Sequence, residues 1–76
     1  MTESLHPVRA WRLGQDPKVS LLDLATKVGV SKSFLSRVET GIEKLPVGIG
    51  EKIARETGIS MRVLFPELAR LFEAAE

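Results

Sequence analysis

Residues 20–41 read SLLDLATKVGVSKSFLSRVETG, and the fold turns on this stretch. Ser20 suits a helix N-cap, because its hydroxyl can accept one of the backbone N–H groups that a first turn leaves unpaired. Asp23, three residues on, completes a short form of the capping box and sits favourably against the helix dipole. Leu21, Leu24, Ala25 and Val28 then recur at i, i+3, i+4 and i+7, which is one face of an α-helix. Gly29 ends that helix by supplying the left-handed conformation common just beyond a helix terminus. Only Val30 separates it from Ser31, a second N-cap. Phe34, Leu35 and Val38 give the following helix its apolar face, and it ends near Thr40, before Gly41. Two helices joined by so short a turn must cross steeply with their backbones close together. That crossing needs a small residue at the contact, a glycine in the turn and apolar facing stripes. Ala25, Gly29 and the set Leu24, Val28, Val30, Leu35 and Val38 meet all three needs. Residues 20–40 therefore form a two-helix corner.

Working outward, a first helix is expected from Pro7, whose missing N–H costs nothing at that position, to about Leu13. GQDPK, residues 14–18, reads as a turn. Beyond Pro46, residues 47–57 form a fourth helix with Ile49, Ile53 and Ala54 inward and Gly58 as its stop; Gly48 and Gly50 weaken its first turn. Ser60 caps a short helix ending near Phe65, and Pro66 opens a last one over residues 67–75. Trp11 is either core or partly exposed, with the core favoured, and His6 is assigned to a frayed end within a flexible segment, 1–6. Strand-like alternation never extends beyond three or four residues. The expected fold is all-α, a compact bundle of five to six short helices forming one domain over residues 1–76.

Composition sets the bounds. Seventy-six residues with 43% hydrophobic and 28% charged content suit one small globular unit. There is no cysteine, which removes disulfides and thiolate metal sites and fits a reducing, cytoplasmic location. No apolar run approaches the roughly 18 residues of a membrane span. The net charge of +1 is uninformative, but its distribution is less so. Residues 1–66 hold ten of the eleven Lys and Arg and seven of the ten Asp and Glu, leaving the tail acidic. No Ser–His–Asp set, carboxylate pair with a pocket or phosphate-cradling glycine loop is present, and one histidine makes no metal cluster. No enzyme, metal or cofactor is expected.

Helical spacing places residues 32, 33, 36 and 37 together on the outward face of the second corner helix. The stretch VRAWRLGQDPKVSLLDLATKVGVSKSFLSRVETG (8–41), continuing through KIARETGIS (52–60) to LF (64–65), resembles the phage repressor and Cro type of helix-turn-helix protein, also called the xenobiotic-response-element family. The likeness covers roughly residues 7–65 and is strongest over LA–KVGVS–S–LSRVE–G. It implies a lambda-repressor-like fold and a third helix lying in the major groove of DNA, with Lys32, Ser33 and Arg37 at base edges; Ser36 joins this base-reading set by its helical spacing. Arg37 can donate a bidentate pair of hydrogen bonds to guanine, whereas Ser33 and Ser36 discriminate little. Phosphate contacts are expected from Lys18, Thr40, Lys44 and the backbone N–H of Leu21. The family often has glutamine where this chain has Leu21, so that side-chain contact is lost. The turn through residues 14–20 is also about two residues longer than usual. The resemblance further suggests an ion pair between Arg12 and Glu39.

Leu64, Phe65, Leu68, Leu71 and Phe72 form an apolar stripe towards the end of the chain. Either this helix folds back over its own core or it pairs with its twin in a second subunit; the expectation is a homodimer through Leu64, Leu68, Leu71 and Phe72, with residues 66–76 as the candidate dimerisation element. The expected function is a sequence-specific transcription regulator of double-stranded DNA, a repressor acting as a dimer on a palindromic operator. With no separate ligand-sensing domain, it stands nearer Cro, restriction–modification controllers or short antitoxins. The alternative is an antitoxin-like interaction module whose partner is a protein such as a toxin.

Overall fold

In the computed structural model, described over residues 5–68, five helices follow one another: α1 (Pro7–Gly14), α2 (Leu21–Val28), α3 (Lys32–Glu39), α4 (Val47–Thr57) and α5 (Met61–Leu64). Residues 66–68 are helical again where the description ends. No strand occurs among the described residues. Most of these helices span only about two turns, too short to persist alone in water, so their stability comes from the faces they bury.

Each start has a local cause. Ser20, Ser31 and Ser60 accept the backbone N–H groups of Asp23, Phe34 and Arg62 at 3.0, 3.0 and 3.1 Å. His6 caps α1, its Nδ1 accepting the Val8 N–H at 3.1 Å, with Pro7 at the first helical position. His6, expected at a frayed end, takes the place of a helix cap, because an unprotonated imidazole nitrogen accepts much as a serine hydroxyl does. α4 alone opens without a side-chain cap, following Pro46. Gly29 and Gly58 close α2 and α4 with φ of 76° and 79°, where any residue with a Cβ would be strained.

The core consists of Val8 from α1, Leu24, Ala25 and Val28 from α2, Leu35 and Val38 from α3, Ile53 from α4, and Leu64 and Phe65. Ala25 is fully buried at the α2–α3 corner, and the Val30 N–H donates to its carbonyl at 3.0 Å. Trp11, expected in the core, is only half-buried. The inward stripe of α1 runs through Val8 and Arg12, which leaves Trp11 on the flank.

Gly50, read from sequence as a weak point of α4, has a packing role. A Cβ there would overlap the edge of the Phe65 ring, whereas one at Gly48 would meet open space. Leu64 is correspondingly buried in the chain's own core at 8% exposure, which withdraws it from the expected dimer interface. Leu68 is half-buried against the same core. Leu71 and Phe72, together with most of the expected helix over residues 67–75, lie outside the described residues.

Candidate nucleic-acid interface

α3 is two-sided. Leu35 and Val38 are buried, Phe34 and Ser36 are half-buried, and Lys32, Ser33 and Arg37 are exposed. The sequence-predicted set therefore divides. Lys32 and Ser33 present the first turn and Arg37 the next, while Ser36 stands at the edge and its carbonyl accepts the Thr40 N–H at 3.0 Å.

Arg37 has a partner that the sequence reading missed. Its Nε donates to Oε1 of Glu43 at 3.3 Å, with the two side chains 46% and 45% exposed. The chain returns to this point because Gly41, at φ 83°, turns it back over the end of α3. The N–H groups of Ile42 and Glu43 then donate to the Arg37 carbonyl at 2.9 and 3.1 Å. A left-handed glycine four residues after an arginine, with an acid two residues further on, was the available signal.

The expected phosphate contacts fare unequally. Lys18 and Lys44 are exposed. Leu21 is the first residue of α2, and the Leu24 N–H makes the first bond to Ser20 at 3.2 Å, so the Leu21 N–H precedes the helical ladder. The Thr40 hydroxyl, exposed, has the carbonyls of Ser36 at 3.0 Å and Arg37 at 3.2 Å as acceptors, which a phosphate would have to displace.

Behind this face, Arg12 joins α1 to the end of α3. Its Nε and Nη2 donate to Oε2 and Oε1 of Glu39 at 2.8 and 2.7 Å, a bidentate pair with side chains 11% and 4% exposed. Its Nη1 donates to the Val19 carbonyl at 3.1 Å, so the same guanidinium also ties down the segment ahead of α2. The hydrogen bonds that Arg12 donates to Glu39 raise its pKa despite the opposing desolvation. Burial holds the His6 imidazole below its ordinary 6.5, and the nearby Glu39 charge offsets this in part.

A shallow cleft opens on one side, lined by His6, Glu43, Lys44, Leu45, Phe65 and Glu67 among others. Among the described residues, no three His, Cys, Asp or Glu are grouped to hold a metal ion, and no helix is long and apolar enough to cross a membrane.

Comparison with known proteins gives one finding that bears on this geometry. The helix-turn-helix family model matches residues 8–64, three quarters of the chain and all of α1 to α5 except the first residue of α1. Searches of curated proteins and of solved structures gave no match. The match covers the two-helix corner together with the elements that brace it, and the chain belongs to the helix-turn-helix family of DNA-binding regulators, of the phage repressor and Cro type.

Proposed function

We propose that this protein is a sequence-specific transcription repressor that binds a palindromic operator in double-stranded DNA as a homodimer. The observation that carries the reading is the exposed row of Lys32, Ser33 and Arg37 on the second helix of the corner, opposite the buried Leu35 and Val38. In the major groove these three side chains meet base edges. Arg37 discriminates most, since a guanidinium matches the O6 and N7 acceptors of guanine, while Lys32 serves either a guanine or a phosphate. Lys18, Lys44 and the Leu21 N–H, close to the positive end of the α2 dipole, meet the phosphates.

Dimer formation follows from economy of contact. An eight-residue α3 with three exposed readers offers few base contacts. Two copies related by a two-fold axis read half-sites about 34 Å apart and double that number. Leu68, Leu71 and Phe72 remain the proposed contact between copies, without Leu64.

The test is selection from random duplexes followed by sequencing. A palindromic site with guanine in each half-site is expected, and sedimentation should give a dimer. With about six phosphate contacts, affinity should fall roughly a thousandfold between about 50 and 200 mM salt. Failure to retain any duplex at low salt would turn the reading to a protein-interaction module with a partner such as a toxin.

A further inference from the structure

We infer that Glu43 is a positioning residue for base recognition: it fixes the Arg37 guanidinium in one presentation and keeps it from pairing indiscriminately with phosphates. The inference rests on the reading of Arg37 as a base-contacting residue. A guanidinium carries five N–H groups in a planar fork and can offer a flat acceptor pair either its end or its Nε side. Here the Nε–H is engaged by Glu43, so the side approach is closed and the end, formed by Nη1 and Nη2, remains for the O6 and N7 edge of guanine.

Glu43 is held for this task by the residue it orients. Its own N–H donates to the Arg37 carbonyl at 3.1 Å while its carboxylate accepts from the Arg37 side chain, so the two residues are joined at backbone and side chain together. The Ile42 N–H on the same carbonyl and the turn at Gly41 set that return path. Pairing at half exposure in water contributes little to folding, so stability does not account for the arrangement. A carboxylate facing a polyanion also costs general affinity. That cost falls on every duplex, whereas the oriented fork rewards only those with guanine in place, and the difference is specificity.

The test uses the whole chain with Glu43→Gln and Arg37→Ala variants. Each is titrated against the selected duplex, a copy with the Arg37-dependent guanine replaced, and an unrelated duplex. Glu43→Gln is expected to raise affinity for the unrelated duplex and to cut the selected-to-replaced ratio by about twofold, the scale that a half-exposed pair allows. Melting should be unchanged, and the Arg37 Nε–Hε resonance of the free protein should move. If Arg37→Ala collapses the ratio while Glu43→Gln leaves it within error, Glu43 does not position Arg37 and the inference is overturned. An Nε–Hε resonance indifferent to Glu43→Gln overturns it as well. If Arg37→Ala itself leaves the ratio unchanged, base reading by Arg37 has failed, and this inference with it.

Discussion

Arg12–Glu39 and Arg37–Glu43 are both guanidinium–carboxylate pairs anchored in the second half of α3. The first is bidentate at 2.7 and 2.8 Å, with side chains 11% and 4% exposed; the second is a single 3.3 Å contact at 46% and 45%. The same functional groups therefore do opposite work. In the interior, water cannot replace a lost partner, so either charge left alone must be carried at full desolvation cost. At the surface, water replaces the partner at once and folding hardly registers the loss. What the exposed pair retains is geometry, which matters when another molecule docks against it. Two turns of helix thus hold a structural clasp on one side and, on the reading proposed for Arg37, an aiming device on the other.

The sharpest way to break this contrast is Arg12→Ala. It strands Glu39 in the interior and should cost about 3–5 kcal/mol, lowering the melting temperature by about ten degrees or more. The double variant Arg12→Met/Glu39→Leu removes both charges and should recover most of that loss. Equal destabilisation by single and double variants would refute the clasp.

Next in size is Arg37→Ala, read in binding rather than in folding. Affinity for the selected duplex should fall by about 1–3 kcal/mol, with thermal melting of the free protein unmoved. A matching drop in melting would make Arg37 part of the architecture instead.

A smaller effect comes from His6, which shares its surroundings with the clasp. Its folded pKa lies below 6.5, so the unfolded chain binds the proton more readily. The stability that goes with a neutral, half-buried ring is complete above that value and is lost as the pH falls below it. His6→Asn, which keeps a capping acceptor without a titratable ring, should flatten melting against pH in this range. An unaltered slope would dismiss the ring as its source. The smallest expected effect is Glu43→Ala on melting, no more than about 0.5 kcal/mol.

The corner was legible because its constraints are local and fall on different residue types. Ser20, Asp23, Gly29 and Ser31 mark the ends of helices at fixed offsets, and Leu24, Ala25, Val28, Leu35 and Val38 follow a single period. The outward positions of Lys32, Ser33 and Arg37 follow from the same period. What escaped depends on contacts that no spacing rule reports. Glu43 reaches Arg37 only because Gly41 folds the chain back. The Thr40 hydroxyl has nearby carbonyls that compete with any phosphate. Trp11 and Val8 lie on neighbouring flanks of one short helix, and which of them faces inward depends on what α1 packs against. His6 directly precedes the helix expected at Pro7, but histidine is not among the usual capping residues, so its role shows only in the contact with the Val8 N–H. Leu64 belongs to the same stripe as Leu68, but the stripe wraps inward at α5 and buries it.

The fit of Phe65 against Gly50 has an evolutionary corollary. Two positions fifteen residues apart share one small volume, so a side chain fits at position 50 only if the ring at position 65 gives way. A library randomised at position 50 should return almost only glycine while position 65 stays aromatic, and should accept alanine or serine once a smaller side chain is permitted there. Position 48, two residues away and facing open space, should drift freely in the same experiment.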